Sequence, residues 1–259
     1  MARKTPEMGL PSSDAGIGIL KSSDVALQYT YDYIRRHLRP RSDVLEVGCG
    51  KGDLAAKLQQ DQHNVLAIDV SEAAITETQS KGVSAQCCNF LDLVSNRSFD
   101  ALLFTRSLHH IYPIQLAIDH AFEFLKPGGV LIIEDFDYPG MDMDTAQWLY
   151  NLAEVLFAAG VIEHSELLQV KGEDPVAYWI GDHHHEPPLN SRTQTVDAIS
   201  KSFQEITVET SSYLFRYFCR DLATNSKGYE IASKIFQWEA ALIDRGEIRP
   251  IGFRVTATR

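Results

Sequence analysis

The stretch Val44-Leu45-Glu46-Val47-Gly48-Cys49-Gly50-Lys51-Gly52-Asp53 decides how the chain is read. It has the pattern of a short buried strand, a glycine turn and a helix from about Asp53 to Gln60. Glycines at 48, 50 and 52 let the backbone turn sharply and approach a ligand with no Cβ in the way. A helix starting behind the turn leaves backbone N–H groups for an electronegative partner. The spacing is G-x-G-x-G, and Asp53 stands where a dinucleotide loop of the G-x-G-x-x-G type has its third glycine. Glu46 at the strand end repels a pyrophosphate but suits a ligand bearing an ammonium or sulfonium group. Both departures weigh against a nicotinamide oxidoreductase.

Working outward, the apolar run Asn64-Val65-Leu66-Ala67-Ile68 ends in Asp69, placed to accept from both hydroxyls of a ribose. Strands are expected at 43–47, 64–69, 83–88, 99–104 and 128–135, with helices near 53–60, 71–80 and 113–126. This alternation is that of a parallel sheet with helices on both faces. Ligands of such open sheets bind beyond the carboxyl ends of the strands. Glu46, Asp69, Asn89, Thr105 and Asp135 all fall at such ends.

Glycine loop, second strand and acidic strand end together resemble the class I S-adenosylmethionine-dependent methyltransferases of small-molecule type. Ser98-Phe99-Asp100-Ala101-Leu102-Leu103-Phe104, Ser107-Leu108-His109-His110 and Leu125-Lys126-Pro127-Gly128-Gly129-Val130-Leu131-Ile132-Ile133 extend the likeness over roughly residues 40–136. The resemblance implies an α/β fold: a doubly wound, mostly parallel, seven-stranded sheet with a helical lid insertion after the fifth strand. It implies S-adenosylmethionine as cofactor, held by Glu46, Gly48, Cys49, Gly50, Gly52, Asp69, Val70, Asn89, Phe90 and Thr105. Asn89-Phe90 departs from the family's usual acidic residue there. An amide still bonds an adenine edge, Phe90 can pack on its face, and Asp92 is a nearby substitute.

Beyond that core, residues 1–21 read as a flexible arm and 22–259 as one domain, with the lid insertion over 136–200. Ser22-Ser23-Asp24 can cap a helix to about Leu38 with Leu27, Tyr31, Ile34 and Leu38 on one stripe. Tyr29, Tyr31 and Tyr33 on it are expected to pack, with ligand contact as the alternative. In the insertion, Asp144 can cap a helix whose apolar face is Trp148, Leu149, Leu152, Val155, Leu156 and Ala159, stopped by Gly160. A polar segment with Tyr178, Trp179 and Asp182-His183-His184-His185-Glu186 follows. A helix over 191–201, a strand over 203–209, an amphipathic helix through Ile231, Ile235, Trp238 and Leu242, and a strand over 252–258 complete the chain.

The 259 residues suffice to bury a substantial core, and 44% hydrophobic with 23% charged residues is ordinary for a globular protein. A net charge of −11 argues against nucleic acid as partner, because affinity for phosphate backbones depends on Lys and Arg. The four cysteines lack zinc-like spacing and suit reduced thiols in the cytoplasm. No secretory leader or membrane-spanning run is expected.

Methyl transfer from a sulfonium requires an aligned acceptor, exclusion of water and, for a hydroxyl, removal of a proton. Histidine suits the last task. The resemblance places His109 and His110 toward the transferred methyl, with holding the loop as their alternative role. His183, His184 and His185 in the insertion are candidates for a base or for a polar surface. Three consecutive side chains point in different directions, so a metal is not expected there. Asp135 completes the catalytic candidates, and Glu134 and Asp137 beside it are acid/base groups or a solvated strand end. The expectation is therefore a cytoplasmic methyltransferase of a small organic molecule, by O-, N- or C-methylation. The alternative is a related protein that binds the cofactor without methyl transfer.

Overall fold

The structure, a computed structural model, describes residues 20–170 and 174–259. Most of the expected arm over 1–21 thus lies outside the described residues. In chain order the elements are α1 (Ser22–Ile34), β1 (Asp43–Val47), α2 (Asp53–Gln60), β2 (Asn64–Asp69), α3 (Glu72–Ser80), β3 (Ser84–Cys87) and β4 (Phe99–Thr105). Then come α4 (Ile114–Phe124), β5 (Leu125–Phe136), α5 (Met143–Ala158), α6 (Pro175–Asp182), α7 (Arg192–Ser202), β6 (Glu205–Ser211), α8 (Phe215–Asp221), α9 (Ser226–Asp244) and β7 (Gly252–Thr258).

The sheet has the order β3-β2-β1-β4-β5-β7-β6. β1 through β5 pair in parallel, and β7 runs antiparallel to β5. The chain winds outward from β1 in one direction and from β4 in the other. The crevice beyond their carboxyl ends is the switch point at which ligands of such sheets bind. Every residue of β1 except Asp43, and every residue of β4 except Asp100, is buried. Central parallel strands carry helices on both faces, which is why both read as near-continuous apolar runs. Leu45, Val47, Phe99, Leu102, Phe104, Leu131 and Ile133 form the core with Ala117, Ile118 and Ala121 of α4 and Ala198 and Ile199 of α7. Each large side chain so buried contributes about 1.5–3 kcal/mol.

Two compact units divide the chain. Residues 30–137, 184–210 and 252–259 make the unit that contains the sheet; the described residues 20–29, 138–170, 174–183 and 211–251 make a second, helical unit. The segment expected as one insertion is thus divided between His183 and His184. In the helical unit, Glu239 of α9 is buried and accepts from the backbone N–H groups of Tyr213 (2.8 Å), Leu214 (3.0 Å) and Phe215 (2.8 Å). The Trp179 indole donates to the Tyr138 carbonyl at 2.8 Å.

Several boundaries differ from expectation for local reasons. The polar segment around Tyr178 and Trp179 is helix α6: Asp174 caps it, and Pro175 sits at its first turn. α8 was not anticipated; its starting amides are satisfied by distant Glu239 rather than by a local cap. Asp142, not Asp144, caps α5, accepting from Thr145 N at 3.0 Å. The buried face of α5 includes Ala146, Leu149, Tyr150 and Ala153, and Val155 is exposed. α1 ends at Ile34, and Ser22, Val25, Thr30, Tyr33 and Ile34 are its buried positions.

The glycine loop is locked against the turn after β4. Gly48 has φ +75°, and a Cβ there lies 2.4 Å from the Ser107 Cβ. Gly50 has φ +52°, but a Cβ there meets nothing within 4 Å. Gly48→Ala therefore incurs both left-handed strain and a clash, whereas Gly50→Ala incurs strain of only about 1–2 kcal/mol. In urea unfolding followed by circular dichroism, Gly48→Ala should lower the midpoint clearly more than Gly50→Ala; equal losses would contradict this division of labour.

Candidate active site

The loop after β1 is held by its neighbours in the sheet. Gly48 N and Cys49 N both donate to the Ile68 carbonyl, at 2.8 and 3.1 Å. The Asp69 carboxylate accepts from Gly50 N through Oδ2 and from Ser71 N through Oδ1, each at 2.9 Å. The Ser107 hydroxyl donates to the Val47 carbonyl at 2.6 Å, pinning the β1 end to the turn after β4. Beyond these strand ends opens a cavity of about 530 Å³. Its walls include Val47, Gly48, Gly50, Ile68, Asp69 and Val70 on one side. Cys88, Asn89, Phe90 and Leu91 follow β3, and Arg106, Ser107, His110, Ile111, Tyr112 and Pro187 complete it.

Of the expected cofactor-binding residues, Gly48, Gly50, Asp69, Val70, Asn89 and Phe90 line this cavity, while Glu46, Cys49, Gly52 and Thr105 are not among its walls. Gly52 caps α2 in a left-handed conformation, and a Cβ there lies 2.5 Å from the Thr78 hydroxyl, so its role is packing. The Cys49 thiol, pushed up to about 11 by burial, sits 3.7 Å from the same hydroxyl. Thr105 is buried at the end of β4. Phe90 is buried in the core and meets Phe104 in a T-shaped contact, with centroids 5.3 Å apart. Asn89 Oδ1 accepts from Leu91 N at 3.0 Å, which leaves the amide's donors for a base edge.

The residues present fit an adenosyl amino-acid cofactor. Asp69 uses two of its lone pairs on backbone and retains others for ribose hydroxyls. Gly50, whose absent Cβ would project into open space, brings bare backbone to the cavity. Glu46, buried in β1, has an Oε2 atom with no hydrogen-bond partner in the protein. Burial pushes its pKa up to about 8; the charge of Arg106 pulls down, and Asp53 and Asp69 push further up. A cation brought beside such a carboxyl lowers its pKa and favours its ionised form.

The catalytic candidates separate into two groups. Asp135 and His109 are both buried and form a pair, His109 Nδ1 to Asp135 Oδ1 at 2.6 Å. The other Asp135 oxygen accepts from His109 N at 3.2 Å. The ring of His110 lies 4.1 Å from that of His109 and 5.5 Å from that of His185, centroid to centroid. Burial, then the neighbouring His109 and His185, push the His110 pKa down to about 4, so its imidazole is neutral at pH 7. His184 is exposed and lies outside this cluster. His183 belongs to the helical unit, where Nδ1 lies 2.8 Å from the Trp179 carbonyl and Nε2 3.1 Å from the Tyr217 hydroxyl. Both ring nitrogens are occupied there, so its place is structural. Glu134 and Asp137 are not a solvated strand end: buried Glu134 takes Arg254 at 2.6 Å, and Asp137 accepts from Arg192 N at 3.1 Å. The three tyrosines of α1 pack rather than line the cavity. Tyr29 lies against Phe236, Tyr31 bonds Asp61, and Tyr33 lies under Arg254 at 4.4 Å. Among the described residues no set of three His, Cys, Asp or Glu side chains gathers to hold a metal ion.

Two residues at this site escaped the sequence reading. Asn190 is buried and its amide donates to the carbonyls of Leu108 (3.2 Å) and Ile111 (2.9 Å), while its backbone N–H donates to that of His109 at 2.9 Å. It ties the segment bearing His185 and Pro187 to the histidine turn, and nothing local in Pro187-Pro188-Leu189-Asn190 signals this. Arg106 lines the cavity at the strand end; ending β4 one residue later would have exposed it to the strand-end rule.

The family model of the methyltransferase domain matches residues 25–167. A ubiquinone biosynthesis O-methyltransferase of Rickettsia canadensis is 30% identical over 131 residues, 47% of this chain and 56% of that one. The chain thus spans about half the length of the curated relatives it matches. An S-adenosylmethionine-dependent methyltransferase from Mesorhizobium loti shares the fold, with TM-score 0.57 and 18% identity over 91% of this chain and 99% of that one. The [4+2]-cyclase SpnF does too, with TM-score 0.54 and 18% identity over 89% and 80%.

Glu46 carries a pH signature. A carboxyl whose folded pKa is raised holds its proton more tightly when folded, so folded-state stability falls as pH rises from about 4.5 to about 8. Glu46→Gln does not titrate, and its stability relative to wild type should rise across that window, by at most about 1.4 kcal/mol per pH unit. Urea midpoints of both ligand-free proteins at pH 5 and pH 8 check this; parallel pH dependence would show that Glu46 buries no proton.

Proposed function

This chain belongs to the methyltransferase domain family, and we propose that it uses S-adenosylmethionine to methylate a small organic molecule at O, N or C. The observation that carries the reading is the cavity at the β1/β4 switch point, with the glycine loop and Asp69 at one side and His110 at the other. The unpaired cysteines support a cytoplasmic setting, and no described helix is long and apolar enough to cross a membrane.

Bound there, the cofactor supplies an electrophilic methyl group on a good leaving group. Gly48 and Gly50 present bare backbone to it, Asp69 accepts from the ribose, and Asn89 donates to the adenine edge. Glu46, buried in β1 and protonated without a ligand, ionises against the cofactor's ammonium group. On the acceptor side, neutral His110 offers an imidazole nitrogen to a hydroxyl or amine proton. Behind it, Asp135 fixes the ring of His109 by accepting from Nδ1–H, the arrangement that orients an imidazole and stabilises it when protonated. His110 holds a proton loosely, and the ring of His109 lies 4.1 Å from it, centroid to centroid. The walls Val47, Ile68 and Ile111 keep water from the reacting atoms.

Mass spectrometry of the protein as purified tests the reading: S-adenosylmethionine or its demethylated product is expected, and bound nicotinamide instead would overturn it. Gly50→Val should abolish cofactor binding while the protein still folds, since the added side chain enters the cavity. His110→Gln should lower turnover by about 10²–10⁴-fold at unchanged cofactor affinity. His183→Ala should lower the unfolding midpoint and leave turnover within a few-fold. Full turnover in His110→Gln would remove that histidine from the chemistry.

A further inference from the structure

We propose that Arg106 forms a carboxylate subsite of the cavity, its guanidinium receiving the carboxylate of a bound ligand. The proposal deepens the methyltransferase reading and rests on it.

Arg106 is the one Lys or Arg among the described cavity-lining residues. Its backbone has φ +61°, a left-handed conformation that strains a residue with a side chain. Such strain collects where a side chain must be aimed. The backbone is held in place because Arg106 N donates to the Glu134 carbonyl at 2.7 Å, extending the β4–β5 ladder by one rung.

The protein itself satisfies this guanidinium poorly. Glu134 is matched first by Arg254, directly opposite it in the β5–β7 register, whose Nε and Nη2 both reach Oε2, at 2.9 and 2.6 Å. Thr30 donates to Oε1 at 2.5 Å. Arg106 reaches that same oxygen only through Nη1, at 3.2 Å, with a further contact to the Thr30 hydroxyl at 3.3 Å. Nε and Nη2 have no partner among the described residues, and the side chain remains 36% exposed at the cavity wall. A planar fork with half its donors unmet is shaped for a two-oxygen acceptor. Of the other titratable groups facing the cavity, Asp69 is turned to Gly50 and Ser71, and His110 is neutral at pH 7. Arg106 therefore sets the positive end of the cavity. The carboxylate can come from the amino-acid end of the cofactor or from the methyl acceptor.

Calorimetry of the full chain separates the sources. The probes are S-adenosylhomocysteine, 5′-methylthioadenosine (the same nucleoside without the amino-acid end) and benzoate added to protein saturated with either nucleoside. If the cofactor supplies the carboxylate, Arg106→Gln should weaken S-adenosylhomocysteine by roughly 10- to 100-fold and leave methylthioadenosine unchanged. If the acceptor supplies it, both nucleosides should bind the variant normally, and benzoate should bind wild type but not the variant. Arg106→Lys keeps the charge but not the fork and should lose an intermediate amount; it carries the test if the glutamine variant does not fold. Unchanged affinity of the variants for all three probes overturns the subsite. Failure of wild type to bind either nucleoside would instead overturn the methyltransferase reading, and benzoate binding to ligand-free wild type and variant would still decide the subsite.

Discussion

The contact between the loop after β1 and the turn after β4 is the constraint on which the site depends. Gly48 comes so close to Ser107 that no Cβ fits between them, and the Ser107 hydroxyl bonds the last carbonyl of β1. Because β1 and β4 are adjacent but their chains wind away in opposite directions, this contact closes the floor of the crevice where the winding reverses. The loop is then fixed from the other side by the Ile68 carbonyl and the Asp69 carboxylate. A backbone held at both ends in left-handed conformations offers a ligand an organised surface, so little ordering remains to be done on binding.

Acidic residues at neighbouring strand ends meet three different fates in the protein. Glu46 lies in β1 with one oxygen unpartnered, and burial pushes its pKa up to about 8. Glu134 is answered across the sheet by Arg254 and then by Thr30 and Arg106. Asp135, next in sequence and on the opposite face of β5, orients His109. A buried carboxylate is costly unless paired. The three solutions, an unpartnered buried carboxyl, a fixed ion pair and an oriented imidazole, correspond to ligand binding, scaffold and proton handling in the function proposed.

How much of this the sequence carried depended on the range of the interaction involved. Strands β1, β2 and β7 and helix α2 fall where periodicity and flanking glycine or acidic residues place them. The Ser191 start of α7 was equally local: its side chain and that of Gln194 cap each other reciprocally. Six of the ten residues expected to hold the cofactor line the cavity, and they were legible because each sits at or just beyond its own strand end. By contrast, α8 begins where Glu239 reaches back over some two dozen residues to take three amides, and no local pattern announces such a cap.

The sequence by itself determined the sheet, the glycine loop and the acidic strand ends, because periodicity, backbone freedom and strand alternation act over a few residues. Only the tertiary structure decided which histidines matter together. His109, His110 and His185 converge because Asn190 ties two distant turns by hydrogen bonds to carbonyls. His183, adjacent in the same run of three, is drawn instead to Trp179 and Tyr217. Consecutive side chains leave a backbone in different directions, and which way each goes is set by what packs against it. Likewise, Arg254 had no visible partner until the antiparallel register set it opposite Glu134, a pairing across 120 residues of chain that no local signal encodes.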